Sequence, residues 1–460
     1  MNRQDNWRLR FHLMPPTGWL NDPNGLCQFK GEYHVFFQYT PENPEGGLKH
    51  WGHYTSKDLI GWKFEGIALS PEEEFEADGV YSGSALVRDE EMHVFYTGNV
   101  KLDGDYNYIT DGRQGNTISA SSKDGRHFGK KELLMTNADY PNHLTCHVRD
   151  PKVVTGESIG ISDGKDYMLL GARTLQDVGQ VLLYRSSDLK HWELANVIQS
   201  KEKFGYMWEC PDAFLLGDTK VLSISPQGVD RRGVDFANLY QSGYYLMKGT
   251  LEGAYALGTF KEWDRGFDFY APQTFEDEKG RRILIAWMGM PEKSNPTIAH
   301  GWQHALTVPR EVFLKNKKVM QYPVEELKQL RGKEWYLAPG ETSEELACYD
   351  VEIELGKDDN LEIIVSEGMR ITYGKETELF TLKFDKDKDL GCRRNERNVK
   401  LKKCEKIRML MDTSCMELYI NGGEEVFTTR FYTKTGKSYF KVENEGAKIR
   451  YFDINAESIL

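Results

Sequence analysis

The chain has 460 residues, 39% hydrophobic and 28% charged, a globular profile that excludes a disordered or fibrous protein. A net charge of −12 argues against a nucleic-acid partner, because a polyanion is repelled on average. No run approaches the ~20 apolar residues of a membrane span, and the opening MNRQDNWRLRFHLMPP lacks the apolar stretch of a secretory signal.

Cysteines stand at 27, 146, 210, 348, 392, 404 and 415, an odd number without CxxC spacing. That pattern suits neither a disulfide frame nor a zinc site, so reduced thiols and a cytoplasmic location are expected.

In chain order, a turn followed by a β-branched or aromatic run recurs five times. Gly31 opens GEYHVFFQY, Glu90 EEMHVFYTG, Gly164 GKDYMLLGA, Gly217 GDTKVLSIS and Gly280 GRRILIAWMG. Each reads as the second half of a hairpin. A second repeat, TSKDLIGW, SSKDGRHF and RSSDLKHW, sets Asp58, Asp124 and Asp188 at near-constant spacing, with Trp62, Phe128 and Trp192 at one offset from them. Five such units without long helical patterns fit a five-bladed β-propeller over 1–323 better than one large sandwich.

The segment upstream of each repeated run is then the inner strand of a blade. These are WLNDPNG (19–25), YSGSALV (81–87), VRDPKVV (148–154), WECPDAF (208–214) and FYAPQTF (269–275). They should converge on one central funnel and bring Asp22, Asp150 and Glu209 to equivalent positions. After Pro323, VEELKQLRGKEW reads as a short helix within a linker spanning 324–344. From 345 to 460 alternating strands return, with Asn421-Gly422 as a hairpin turn, so the chain is expected to be all-β with a C-terminal β-sandwich. The charged stretch 385–406 reads as a solvated loop and edge strand. The sandwich edges offer a place for a second copy to pair.

Glycoside hydrolysis needs two carboxyl groups in different protonation states. Pro23 and Asn24-Gly25 force a turn that fixes Asp22. Trp208 beside Glu209 is expected to desolvate it and favour its acid form. Arg149 beside Asp150 is expected to keep that group ionised. His50 and His53 form HxxH, but no third ligand follows, and no metal is expected.

The blocks Trp19-Leu20-Asn21-Asp22-Pro23-Asn24-Gly25, Trp51-Gly52-His53, Tyr81-Ser82-Gly83-Ser84, Arg149-Asp150-Pro151-Lys152, Glu209-Cys210-Pro211-Asp212 and Tyr270-Ala271-Pro272-Gln273 resemble glycoside hydrolase family 32 in order and spacing. Departures are small: Leu20 stands where Met is common, and Tyr81 where Phe is. The resemblance implies retaining hydrolysis of a terminal β-fructofuranoside, sucrose or its 6-phosphate, without a cofactor. Asp22 would be the nucleophile, Glu209 the acid/base at ~5–5.5 Å from it, and Asp150 a stabiliser of the transition state. Trp19, Leu20, Asn21, Gln38, Trp51, Tyr81, Ser82, Arg149, Asp268 and Trp287 are the implied substrate contacts. A fructan exo-hydrolase, another five-bladed glycosidase and a lectin-like sugar binder are the rival readings.

Overall fold

The computed structural model describes residues 5–291, 294–356 and 360–456. Five antiparallel sheets form the blades of a propeller. Their inner strands are Gly18–Phe29, Val80–Arg88, Leu144–Thr155, Met207–Leu216 and Tyr270–Glu276. The repeated runs are the second strands: Glu32–Thr40, Glu91–Lys101, Asp166–Thr174, Thr219–Gln227 and Arg282–Met288. Most of their residues are buried on both faces, because each blade is packed between two others. That explains continuous apolar runs in place of alternation.

A separate hydrophobic cluster fills each gap between blades. Phe36, Trp51 and Tyr96 lie between the first and second, and Met168, Leu170 and Phe95 between the second and third. Tyr167, Trp208 and Leu222 lie between the third and fourth. Phe214, Leu284 and Val312 join the fourth to the fifth, and Leu20, Phe37 and Ile285 close the fifth on the first. Trp302 and Gln303, late in the chain, pair in parallel with Gly18 and Trp19 and so latch the ring.

The second repeat has a local cause. In each copy the aspartate caps a tight turn between the third and fourth strands. Oδ1 of Asp58 accepts from the amides of Ile60 and Gly61, that of Asp124 from Arg126 and His127, and that of Asp188 from Lys190 and His191.

The C-terminal domain is a sandwich of a six-stranded and a five-stranded sheet around Ile363, Phe380, Leu418 and Phe427. The helix expected over 324–335 is shorter than its pattern suggested. A 3-10 turn covers Glu325–Leu330, and Arg331–Leu337 is an edge strand of the six-stranded sheet. Gly332 disfavours a helix there, and Trp335 gains a stacked cross-strand partner in Tyr451, 5.0 Å away. The stretch 385–406 includes the edge strand Glu396–Lys400, but it is not wholly solvated: Arg394 is buried and paired with Asp268 of the propeller.

A buried charge network joins the domains. Arg310 of the fifth blade donates to Glu417 at 2.7 Å and to Asp264 at 3.1 Å. Glu417 and Asp412 of the sandwich hold the two ring nitrogens of His12 at 3.1 and 2.9 Å. Burial acts to raise the Glu417 carboxyl, yet Arg310 and His12 outweigh it and bring it down to about 2. Replacing Arg310 by Met leaves Asp264 without its cation and Glu417 with His12 alone in the interior. Arg310→Met is expected to lower stability by about 3–5 kcal/mol, read from the urea midpoint of the full chain; an unchanged midpoint would refute the role given to the network.

Candidate active site

The five inner strands share a defect. Each breaks register with its second strand within one short window: Leu20–Pro23, Val80–Gly83, Arg149–Lys152, Glu209–Asp212 and Tyr270–Gln273. Asp150, Cys210 and Ala271 carry positive φ of 63°, 44° and 48°. Such bulges turn neighbouring side chains toward the channel, where a regular strand would alternate them. With the following Pro or Gly as marker, one tier holds Asp22, Ser82, Asp150, Cys210 and Ala271. The tier before it holds Asn21, Tyr81, Arg149, Glu209 and Tyr270. Asp22 and Asp150 are therefore equivalent, whereas Glu209 sits one residue earlier, and Cys210 takes the place expected of the acid.

Asp22 accepts from Ser82 Oγ at 2.6 Å and from Asn21 Nδ2 at 3.2 Å. Burial pushes its pKa up, the Ser82 bond opposes this, and the charge of Glu209 adds to the rise. Glu209 is gripped by four donors. Arg149 approaches Oε1 through Nε at 3.0 Å and Nη2 at 2.7 Å, while Gln227 at 2.7 Å and Tyr270 at 2.5 Å donate to Oε2. Burial and the Glu209 charge drive the Tyr270 hydroxyl well above its ordinary pKa, so it stays a donor. Close approach of the two blades depends on Gly171, opposite Arg149, where an added Cβ would meet the Trp208 carbonyl at 2.1 Å.

Asp150 lies deeper and accepts from the Cys210 amide at 3.0 Å. The Cys210 thiol lies 3.6 Å from Asp150 and 3.8 Å from Asp22. Two expectations are corrected here. Arg149 pairs with Glu209, and its charge lowers the Asp150 pKa as expected, but burial outweighs it and, with Glu209 and Asp22 adding, raises Asp150 to about 7. Trp208 does not desolvate Glu209, because its ring points to the opposite face, into the cluster with Tyr167 and Leu222.

The remaining expected contacts divide. Trp19 joins the site: its indole donates to Asn21 Oδ1 at 2.7 Å, and its ring lies 6.0 Å from that of Trp287. The Trp287 N–H is buried with no hydrogen-bond partner, and its ring meets Tyr270 edge-on. Tyr81 lies in the tier of Glu209. Gln38 is buried and braces the Val80 carbonyl at 3.0 Å. Leu20 and Trp51 are not pocket walls. Both are 0% exposed, Leu20 because a strand neighbour of Asn21 must face the core, and Trp51 because it fills the gap between blades and donates to the Tyr81 carbonyl. Asp268 is also excluded from the channel: it is buried against Arg394 and the Arg430 amide at the domain interface.

Sequence reasoning gave no role to Cys210, Gln227, Tyr270 or Lys49. Cys210 and Tyr270 stood inside quoted blocks, so the tier pattern was the missed signal. Lys49, over the Trp19 ring at 5.0 Å, has its pKa lowered by burial to about 8 despite the Asp22 charge. His53 meets His34 at 3.0 Å and His50 meets Ser70 at 3.1 Å, so HxxH splits between two partners. Among the described residues one ligand-type group, His12, Asp412 and Cys415, lies within 4.8 Å, inside the interdomain network.

Carboxylates in three environments around one channel, flanked by aromatic rings, define a propeller glycosidase site. The chain belongs to family 32 of the glycosyl hydrolases: the N-terminal domain model of that family matches residues 12–323 and its C-terminal model 321–458. It is 40% identical to a sucrose-6-phosphate hydrolase of Bacillus subtilis (strain 168), covering 94% of this chain and 90% of the relative. Its fold superposes on a sucrose-6-phosphate hydrolase of Lactobacillus gasseri with a TM-score of 0.88 at 28% identity, covering 99% of this chain and 94% of the other. A Bombyx mori family 32 β-fructofuranosidase variant, solved in complex with sucrose, superposes with a TM-score of 0.85 at 29% identity, covering 98% and 94%.

The Asp150 environment has a consequence for stability. Its folded-state pKa of about 7 exceeds the ordinary 3.8, so the unfolded chain ionises first as pH rises. Stability is therefore lost between about pH 4 and 7 and is flat above. Asp150→Asn is expected to raise the urea midpoint relative to wild type more at pH 8 than at pH 4. An equal shift at both values would contradict the burial argument.

Proposed function

We propose that this enzyme hydrolyses sucrose 6-phosphate and sucrose at the fructosyl bond with retention of configuration. The observation that carries the reading is the pair Asp22 and Glu209, each oriented by its own donors, with the Glu209 charge raising the pKa of Asp22. The similarity to sucrose-6-phosphate hydrolases and to a β-fructofuranosidase solved with sucrose supplies the substrate class.

Asp22, aligned by Ser82, attacks C2 of the fructosyl unit. Glu209 gives its proton to the bridging oxygen, the C2–O bond breaks, and glucose or its 6-phosphate departs. Glu209 then removes a proton from water, whose oxygen attacks C2 and releases Asp22 from the ester. Asp150 lies beside the reacting carbon's ring hydroxyls, where a carboxylate favours an oxocarbenium-like transition state once ionised. A cytoplasmic location fits free cysteines and a phosphorylated substrate.

Asp22→Asn and Glu209→Gln are each expected to lower kcat on sucrose 6-phosphate by about 10³-fold or more, with folding intact by circular dichroism. NMR of the first fructose released by the wild type should show the β-anomer. Wild-type rates in either variant, or initial release of the α-anomer, would reject the assignment.

A further inference from the structure

We propose that Arg113, together with Arg149 and Tyr81, holds the phosphate of a phosphorylated leaving group beside Glu209. The proposal rests on the substrate reading above and assigns the residues that make it specific.

Arg113 opens the strand Arg113–Ser122 of the second blade. Two residues on, Gly115 packs so closely on the third blade that an added Cβ would meet the Val148 carbonyl at 2.4 Å. That contact brings Arg113 to the segment His147–Arg149. Tyr81 lies within the field of both Arg113 and Arg149, which oppose the upward push of burial on its hydroxyl. Arg149 is fixed by Glu209 on one side and by His147 Nδ1, 2.5 Å away, on the other.

Arg113 differs from its neighbours. Among the described residues no carboxylate is within ion-pair distance of it, and its Nε is buried with no hydrogen-bond partner. Arg149 has Glu209, and Arg173 has Asp177 at 2.6 Å. Asp78 acts on Arg113 only at longer range, and the nearby positive Arg149 works against it. The surplus is felt by His147, which burial and then Arg149, Arg113 and Arg173 push down to about 2, so the ring is neutral. A partly buried cation without a counter-ion is a cost that an anionic ligand removes.

The location matches the chemistry. Glu209 protonates the bridging oxygen, so the departing sugar lies on the Glu209 and Arg149 side. A phosphate on its primary hydroxyl then extends outward toward Arg113. A guanidinium fork matches phosphate oxygens two at a time, and Tyr81 adds a hydroxyl donor. Two other cationic places fit less well. Lys49 lies beside Asp22, on the fructosyl side, and Arg231 and Arg232 are exposed on the loop after Gln227.

The test is the ratio of kcat/KM for sucrose 6-phosphate to that for sucrose, measured on wild type, Arg113→Gln, Arg113→Lys and Arg232→Gln. The ratio cancels any general loss of active protein. It should fall at least about tenfold in Arg113→Gln, and less in Arg113→Lys, which keeps the charge without the fork. Arg232→Gln should keep the wild-type ratio. Inorganic phosphate should also inhibit Arg113→Gln more weakly than wild type. A wild-type preference that survives in Arg113→Gln, or that is lost only in Arg232→Gln, overturns the assignment of Arg113. A wild-type ratio near one instead overturns the phosphorylated substrate, and the phosphate site with it.

Discussion

The register break in the inner strands is the constraint on which the site depends. A regular strand presents every second side chain to the channel, so Arg149 and Asp150, or Glu209 and Cys210, would face opposite ways. The bulge lets consecutive residues contribute to one rim. Five bulges at one level produce the two tiers. Below them lies a third, Asn24, Ser84, Lys152, Asp212 and Gln273, polar and buried. Lys152 bridges this tier, 3.4 Å from Asp212 and 2.5 Å from the Thr274 carbonyl of the next blade. The tier below the reacting groups is thus buried and polar, tied across blades by Lys152 although Asn24, Asp212 and Gln273 each keep one buried polar atom without a partner.

The same geometry sets the electrostatics. Asp22, Asp150 and Glu209 are mutually repulsive, and each is relieved differently. Asp22 has one strong donor and one weak one. Glu209 has a guanidinium, an amide and a phenol. Asp150 has chiefly the Cys210 amide and is the more buried of the two aspartates, and burial, against the charge of Arg149, raises it to about 7. Neighbouring carboxylates do different chemistry because their surroundings differ. Here the difference follows from depth in the channel and from which blade edge supplies donors.

The repeat made the propeller legible, since a buried strand advertises itself by an unbroken apolar run between turns. The acids were legible because each sits beside a Pro or in a fixed block. What one sequence did not show was direction. Leu20 and Trp51 belong to the right blocks but face the cores, and Trp208 turns its ring away from Glu209. The partner of Arg149 was misread for the same reason: adjacency in sequence is not adjacency in space when the neighbouring blade supplies the carboxylate. The tier offset of Glu209 was readable from the Pro column, because Cys210, not Glu209, precedes Pro211. The edge strand Arg331–Leu337 was hidden by helical spacing, which a short amphipathic strand at a sheet edge can mimic.

Asp268 shows how the sandwich reaches the chemistry without touching it. It was expected at the sugar, yet Arg394 and the Arg430 amide hold it at the interface, 2.8 Å from the latter. Asp268 also takes part in the backbone pairing with Thr428 at 3.1 Å. Two residues later Tyr270 begins the fifth inner strand and donates to Glu209. The strand entry is therefore fixed from the C-terminal domain, and the hydroxyl that orients Glu209 inherits that position. Asp264 and Arg310 repeat the arrangement on the same blade, with Asp264 bound to Thr428 and Arg310 to Glu417. The fifth blade, whose following segment Trp302–Gln303 pairs into the first blade, gains further rigidity from charges buried against the sandwich. A domain outside the five inner strands thereby sets the placement of one of the channel's central donors.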